Sequence, residues 1–441
     1  MPAYEPRRRT PRTAPAVVLL TAAALLGTSG AVAPGAEARA GTAAGGAPAA
    51  HRQARAHLPA PTGPYAVGTT SLHLVDPSRE DPWVSHRPRE VMVSLWYPAA
   101  EGPGTAARAP HMEPLAAAHF GADRGMAHRN YQVPAGSTDW AATPTHARED
   151  APALRGGPRP VVLYSAGLGD PRTWNTGLVE DLASRGFVVV TVDHTYEASE
   201  VQFPGGRLAE SVFPDRMEQP GLDISAMLHT SMTARVKDTS FVLDRLAALS
   251  AGRHDHARPL PRGLAESLDL GRVGMVGQSA GGFTAAQAMR DDPRIKAGIN
   301  MDGQMDFPTT ADGKGSELSP VARDGLDRPF LLMGSSEGTG DNRRSWTAFS
   351  QNTRGWLGRV TLKDSAHGAY TDAAPLLPQL ARQGAVPAEV VTADIGTVRP
   401  ERATAATRAY VASFFDRWLR GHDDHLLDGP SPRFPEMEYA R

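Results

Sequence analysis

The stretch with the strongest bearing on the fold is Val273-Gly274-Met275-Val276-Gly277-Gln278-Ser279-Ala280-Gly281-Gly282-Phe283-Thr284. In it, a short apolar run leads into the pattern Gly-x-Ser-x-Gly, and an alanine-rich segment follows. We predict a strand over residues 273–276, a tight turn at the serine and a helix over residues 280–290. Glycine suits both sides of the serine because such a turn is strained and brings the helix close to the strand.

Strands and helices alternate on both sides of this turn. Apolar runs predict strands at residues 160–164, 187–192, 295–301, 330–333 and 360–362, and helical periodicity predicts helices near 173–185, 234–249 and 400–420. The strand runs are unbroken rather than alternating, as expected for strands buried on both faces of a parallel sheet. The order therefore predicts a mostly parallel, doubly wound α/β sheet with helices on both faces.

The part of the chain ahead of this series is less regular. Alternating residues near Tyr65 and over 91–97 predict two antiparallel strands. Residues 100–155 show no clear period, although they carry several aromatic side chains. Because an irregular stretch of this length inside a domain is usually functional, we predict an inserted, lid-like segment.

The N-terminal residues predict an export signal. Four arginines within the first twelve residues precede a 13-residue uncharged run, residues 14–26, which is shorter than the roughly 20 residues that span a bilayer. Small residues of the Ala-x-Ala cleavage type follow. We therefore expect a signal peptide over 1–40, a flexible leader over 41–62 and a single catalytic domain over 63–441, secreted to the extracellular space.

Composition excludes several classes of function. The chain has 46 basic and 48 acidic side chains and a net charge of −2, whereas nucleic-acid binding needs a basic excess. It has no cysteine, which removes disulfides, thiolate catalysis and cysteine-ligated metals. It also has no phosphate-binding glycine loop and no His-Glu-x-x-His pattern. The sequence therefore predicts no cofactor, no metal and no nucleic-acid partner.

Ser279 is the candidate nucleophile, because a Gly-x-Ser-x-Gly turn presents the serine hydroxyl at the carboxyl edge of the sheet. Such a hydroxyl needs a base, which in this arrangement follows the nucleophile along the chain. The histidines that follow are His367, His422 and His425. His367 lies in a glycine-flanked loop after a predicted strand, whereas the other two belong to a polar tail. His367 is therefore the predicted base.

The acid that orients His367 has two candidate positions. Asp302 ends the predicted strand 295–301, whereas Glu337 and Asp341 follow the next strand. Both loops open on the same edge of the sheet, so either could deliver a carboxylate. The pattern alone leaves the two positions open.

An oxyanion hole requires two backbone N–H groups. One belongs to Ala280, directly after the serine. The second is expected from the turn Ser165-Ala166-Gly167-Leu168-Gly169, whose glycines let the chain approach a substrate carbonyl closely. We assign this second donor to the N–H of Leu168.

Taken in order, several segments resemble the plasma-type platelet-activating-factor acetylhydrolase family and its bacterial secreted lipase and esterase relatives. The matching segments are residues 165–169, 181–189, 277–282, 300–302 and 366–368. The resemblance implies an α/β-hydrolase fold and a secreted serine carboxylic-ester hydrolase. It also implies a small-molecule or lipid ester as the substrate and allows peripheral contact with lipid aggregates.

The resemblance also assigns the site residues. It places the nucleophile at Ser279, the base at His367 and the acid at Asp302, with oxyanion donors at Leu168 and Ala280.

Two positions depart from the family pattern. The family usually has histidine before the Gly-Leu-Gly turn and often before the nucleophile, where this chain has Ala166 and Gln278. Both departures bear on acyl specificity. The alternative function is a non-catalytic extracellular binding protein on a hydrolase scaffold, which the presence of all three triad candidates disfavours.

Overall fold

The computed structural model describes residues 53–100, 107–253, 259–309, 315–336 and 343–439. The predicted signal peptide, most of the predicted leader, and both Glu337 and Asp341 lie outside these residues.

Strands and helices alternate through most of the described residues. The strands are β1 (Val67–Glu80), β2 (Pro88–Pro98), β3 (Arg108–Pro110), β4 (Pro144–Glu149), β5 (Arg159–Ser165), β6 (Val188–Asp193), β7 (Glu200–Gln202), β8 (Leu208–Glu210), β9 (Leu268–Gln278), β10 (Ile295–Met301), β11 (Asp306–Pro308), β12 (Ser316–Leu318), β13 (Phe330–Ser335), β14 (Leu357–Leu362) and β15 (Met437–Tyr439). The helices are α1 (Pro114–Phe120), α2 (Met126–Tyr131), α3 (Thr176–Ser184), α4 (Phe213–Met217), α5 (Ile224–Ser250), α6 (Ala280–Asp291), α7 (Pro320–Asp324), α8 (Arg343–Asn352), α9 (Ala373–Arg382), α10 (Ala388–Ile395) and α11 (Pro400–Phe415), which continues into a π-helical turn.

One large sheet organises these elements, with the strand order β15-β14-β13-β10-β9-β5-β6-β2-β1-β4-β3. Strands β14, β13, β10, β9, β5 and β6 run parallel to one another, and β15 pairs antiparallel with β14 at one edge. Antiparallel pairing begins where β6 meets β2 and continues from β2 to β1. The prediction of a mostly parallel sheet of the α/β-hydrolase type is confirmed.

Each central strand is buried on both faces, and successive residues pack into opposite cores. In β5, Val161 and Leu163 join the core under α5 and α6, whereas Val162 and Tyr164 join the core under α3 and α11. Successive side chains of a strand point to opposite faces, so an unbroken apolar run supplies both cores. Burying one such side chain stabilises the fold by about 1.5–3 kcal/mol. Helices therefore cover both faces, as the sequence predicts.

The predicted insertion at residues 100–155 is more regular than its sequence indicates. Its described part contains β3, α1, α2 and β4, and β4 pairs in parallel with β1. The rings of Phe120, Tyr131 and Trp140 pack against Trp174, with ring centroids 4.9–6.1 Å apart. These elements are too short to show a period, which is why the sequence pattern predicts an irregular segment.

Residues 53–62, the last part of the predicted leader, make specific contacts with the rest of the fold. Ala56 and Leu58 are buried. The N–H groups of Arg55 and His57 donate at 3.0 Å to Gln383, which follows α9 directly, and to Gln379 of α9. The segment is extended, and its backbone hydrogen bonds are made with side chains far along the chain. Local sequence periodicity cannot indicate such partners.

Candidate active site

Ser279 lies between the end of β9 and the start of α6, with φ 55° and ψ −124°. Positive φ is uncommon for a residue other than glycine and is typical of strained functional turns. A Cβ at Gly281 would lie 1.9 Å from the carbonyl oxygen of Ser165, and a Cβ at Gly277 would lie 2.2 Å from the carbonyl carbon of Gly281. Both contacts are with backbone, so glycine is required. The strand, turn and helix lie where the sequence places them.

The structure brings His367 and Asp302 into direct contact. His367 lies in a 3₁₀ turn after β14, and its Nδ1 lies 2.7 Å from Oδ2 of Asp302, the residue that follows β10. The carboxylate accepts this bond, so Nδ1 carries the proton and Nε2 keeps its lone pair. The side chain of Asp302 is 1% exposed and that of His367 is 32% exposed. The imidazole is therefore accessible while its carboxylate partner is not.

Further hydrogen bonds fix the Asp302 carboxylate. The N–H of Ser335 donates to Oδ1 at 2.9 Å, and the Ser335 hydroxyl donates to Oδ2 at 2.7 Å. Ser335 ends β13, the strand beside β10. Glu337 and Asp341, the alternative candidates for the acid, follow β13 in the sequence. The last residue of that strand donates hydrogen bonds to Asp302.

Close contacts join the serine loop to the loops of Asp302 and His367. Nε2 of Gln278 donates to the backbone carbonyl of His367 at 3.2 Å. The N–H of Ser279 donates to the Met301 carbonyl at 2.8 Å, and a Cβ at Gly303 would lie 2.1 Å from the Ser279 carbonyl oxygen. Gln278, which the sequence marks only as a departure from a family pattern, therefore joins the serine turn to the histidine loop.

The electrostatics of the pair favour an ionised Asp302. Burial by itself would raise the pKa of Asp302, but the hydrogen bonds from His367 and Ser335 outweigh it and lower the pKa. Burial by itself would lower the pKa of His367, but the bond to Asp302 and the nearby charges of Asp170 and Asp394 raise it. The histidine therefore holds a proton more tightly than a free imidazole does.

Asp170 and Asp394 are site residues that the sequence reasoning missed. Burial raises the pKa of Asp170 to about 6 and that of Asp394 to about 7. A Cβ at Gly368, next to His367, would lie 2.1 Å from Oδ2 of Asp394. Asp170 follows the predicted oxyanion turn directly, which is a usable signal, whereas Asp394 lies in α10 with no local pattern to reveal it.

The two predicted oxyanion donors lie on adjoining turns. The Ser165 carbonyl oxygen contacts Gly281, so the turn that carries Leu168 rests on the turn that carries Ala280. Within the described ranges, neither the Leu168 N–H nor the Ala280 N–H donates to a protein acceptor. Both groups are therefore available to a ligand.

A second Ser-His-Asp arrangement begins at Ser165, the first residue of the turn that carries Leu168. The Ser165 hydroxyl lies 2.9 Å from Nε2 of His194, whose Nδ1 lies 2.9 Å from Oδ2 of Asp238. Their exposures are only 1%, 2% and 0%. Burial and the charge of Arg235 lower the pKa of His194, so its ring stays neutral. A substrate cannot reach this set, which instead braces the end of β5.

The other two histidines that follow Ser279 are surface residues, as the sequence predicts. His422 and His425 are both exposed, in the tail after α11. His425 contacts Asp428 at 2.9 Å, and Asp428 in turn bonds to Arg417. These contacts are those of a solvated surface network.

Known proteins that this chain resembles are esterases. A ferulic acid esterase structure from Streptomyces cinnamoneus matches with a TM-score of 0.68 and 36% identity, covering 88% of this chain and 99% of that one. A probable 1-alkyl-2-acetylglycerophosphocholine esterase of Arthroderma benhamiae is 26% identical over 87% of this chain and 93% of its own length. The chain is a carboxylic ester hydrolase with an α/β-hydrolase fold.

The family follows from a match to a family model over more than half of the chain. The model of the family "Platelet-activating factor acetylhydrolase, isoform II" matches residues 50–322. A platelet-activating factor acetylhydrolase of Gallus gallus is 23% identical over 71% of this chain and 74% of its own length. This chain belongs to that family, as the resemblance of its motifs implies.

Proposed function

We propose that this protein is a secreted serine esterase that uses Ser279, His367 and Asp302 as a catalytic triad within one catalytic domain. The observation that supports this most strongly is the 2.7 Å contact between Nδ1 of His367 and Asp302, which leaves the Nε2 lone pair to accept a proton. The backbone of His367 is also hydrogen-bonded to Gln278, the residue before Ser279. Such a histidine can act as a general base for a neighbouring hydroxyl.

The proposed reaction has two halves. Oγ of Ser279 attacks the ester carbonyl carbon while Nε2 of His367 takes its proton. The oxyanion accepts hydrogen bonds from the N–H groups of Leu168 and Ala280. The C–O bond then breaks, and the alcohol leaves with the proton from His367. In the second half, His367 takes a proton from water, which attacks the acyl carbon. The bond to Oγ of Ser279 then breaks, His367 returns the proton to the serine, and the carboxylic acid leaves.

Asp302 stays ionised in this scheme. Its lowered pKa, its burial and its bonds from Ser335 support a role in orienting His367 and stabilising the imidazolium. No step requires the carboxylate to take the proton.

The substrate is proposed to be a small-molecule or lipid ester with a short acyl group. The names of two relatives suggest candidates with different acyl groups, an acetylated glycerophosphocholine and a ferulic ester. Acetyl is the first candidate, because the matching family model and the Arthroderma benhamiae and Gallus gallus relatives are all named for esters of acetyl groups.

Export and membrane contact also belong to this proposal. The charged and apolar N-terminal pattern supports secretion, and the N-terminal sequence of protein recovered from the culture medium tests it. Over the described ranges, no helix combines the length and hydropathy of a membrane span. Co-sedimentation with phospholipid vesicles tests peripheral contact with lipid aggregates.

The decisive experiment compares Ser279→Ala, His367→Ala and Asp302→Asn with the matched control His425→Ala. We expect the three triad variants to lose roughly 10³-fold or more in kcat for p-nitrophenyl acetate, whereas the control retains wild-type activity. A fluorophosphonate probe should label Ser279 in the wild type. Full turnover by Ser279→Ala would rule out the nucleophile, and absence of labelling with no turnover would favour the non-catalytic binding protein.

The acyl preference is tested separately. We expect kcat/KM to fall from acetyl to longer p-nitrophenyl esters, and an acetylated glycerophospholipid to be hydrolysed faster than a feruloyl ester. A preference for feruloyl esters would contradict the short acyl group while leaving the triad intact.

A further inference from the structure

Arg235 of α5 contacts the turn that carries Leu168 without reaching the surface. Its Nη1 donates to the Ala166 carbonyl at 2.7 Å, and its Nη2 donates to the Gly167 carbonyl at 3.0 Å. The side chain is 1% exposed, and its Nε donates to the fully buried Glu197 at 2.7 Å. One guanidinium thus holds two consecutive carbonyls of the turn.

These two bonds set the direction of the N–H groups on the other side. In a trans peptide unit the C=O and the following N–H point in opposite directions. The unit that joins Gly167 to Leu168 has its carbonyl on Arg235, so the Leu168 N–H points away from the guanidinium. The preceding unit behaves in the same way, and its Gly167 N–H faces the Asp170 carboxyl, whose pKa it lowers against the effect of burial. Of these two N–H groups, that of Leu168 has no acceptor among the described residues.

The guanidinium is itself held in place. Glu197 also accepts from Ser231 at 2.6 Å and from the ring N–H of Trp83 at 3.2 Å. A planar guanidinium can bind two carbonyls and a carboxylate at once, whereas a lysine ammonium is a point charge on a flexible stem. A cation on the carbonyl of a peptide unit also polarises that unit, which strengthens its N–H as a donor.

We propose that Arg235 is a positioning residue that fixes the Leu168 N–H as an oxyanion donor. The inference rests on the proposed serine esterase function and adds a buried residue of α5 that never touches substrate. Its contribution therefore belongs to the transition state, where the oxyanion forms, rather than to substrate binding.

The test uses Arg235→Lys, with Arg408→Lys as the matched control. Arg408 is also buried and donates to three backbone carbonyls, of Pro59, Ala60 and Gly177, but it does not contact the turn. Rates are expressed per active site titrated with a fluorophosphonate, so that unfolded molecules do not count. We expect kcat of Arg235→Lys to fall roughly 10- to 100-fold, because losing one oxyanion donor outright costs about 10²–10³-fold.

Transition-state affinity separates positioning from a general structural role. For Arg235→Lys, KM should stay within about twofold, while the Ki of a trifluoromethyl ketone, whose adduct carries an oxyanion, should rise in parallel with the loss of kcat/KM. If Arg235→Lys folds poorly, Arg235→Ala is assayed with and without guanidinium chloride at millimolar concentration. We expect the added cation to recover part of kcat.

Either of two results would overturn the inference. One is a kcat per titrated site equal to that of Arg408→Lys, and the other is a loss of activity with an unchanged trifluoromethyl ketone Ki. Ser279→Ala distinguishes the two proposals. If it removes activity while Arg235→Lys does not, only the role of Arg235 fails, whereas an active Ser279→Ala removes the proposed function itself.

Discussion

Gly281 is the residue at which the serine turn tolerates the least change. A Cβ at Gly281 would lie 1.9 Å from the Ser165 carbonyl oxygen, a backbone atom that cannot move without moving the oxyanion turn. We predict that Gly281→Ala lowers kcat roughly 10²-fold or more and Tm by several degrees, because either the serine turn or the oxyanion turn must move. Esterase assays and thermal denaturation measure both effects.

Gly429→Ala is the control for that substitution, since nothing lies within 4 Å of a Cβ at Gly429. It should leave both quantities at wild-type values. Equal behaviour of the two variants would mean that the turn has more freedom than its packing indicates.

Asp394 gives a prediction for the pH profile. Its charge helps to raise the pKa of His367, and the acid limb of kcat/KM reports the pKa of the free base. Asp394→Asn should therefore shift the acid limb to lower pH while leaving the plateau rate within about twofold. The exposed Asp428→Asn serves as the control. An acid limb that stays in place, or moves to higher pH, would contradict this assignment.

At the scale of the element, the segment 53–62 has a testable share in stability. Gln379 of α9 and Gln383, the residue after α9, each accept from and donate to its backbone, and Leu58 is 4% exposed. A chain that starts at Gly63 should unfold roughly 3–8 °C below one that starts at Gln53, given the apolar burial and hydrogen bonds lost. Equal Tm values in differential scanning fluorimetry would show that the segment does not contribute to stability.

Elements that depend on local pattern could be predicted from the sequence, and those that depend on distant partners could not. Strand β5 and the turn at Ser279 follow from apolar runs and glycine spacing, and their positions agree with the structure. Strand β15 and the segment 53–62 order only by pairing with residues far along the chain. Within the site, Asp394 and Arg235 belong to helices whose own sequence gives no sign of the loops that they contact.

At the scale of the whole molecule, two sets of buried carboxyl groups have opposite effects on the stability of the fold as the pH falls. Burial raises the pKa of Asp170 to about 6 and that of Asp394 to about 7, above the unfolded value near 4. A carboxyl whose pKa is raised binds its proton more tightly in the folded state. It therefore destabilises the fold at neutral pH, and this effect is relieved as the pH falls from about 7 to 4.

The second set acts at lower pH. Burial opposes ionisation of Asp238 and Asp302, but Arg89 and His194 outweigh it at Asp238, as His367 and Ser335 do at Asp302, so both pKa values are lowered. Each carboxylate therefore contributes stability that is complete above its unfolded pKa near 4 and is lost as the pH falls through its folded pKa.

Together these groups predict that Tm is highest in mildly acidic solution. It should rise by a few degrees from pH 8 to about 5 and fall steeply below about 4. The raised pKa of His119 adds to the rise, since its stabilisation is lost as pH increases through the folded pKa, whereas the lowered pKa of the buried His194 opposes it. The Asp170→Asn/Asp394→Asn double variant should therefore flatten the upper limb without removing it and leave the acid limb intact. Thermal unfolding of both proteins in matched buffers from pH 3 to 9 measures the two limbs, and an unchanged upper limb in the double variant would show that these carboxyls are not the source of the rise.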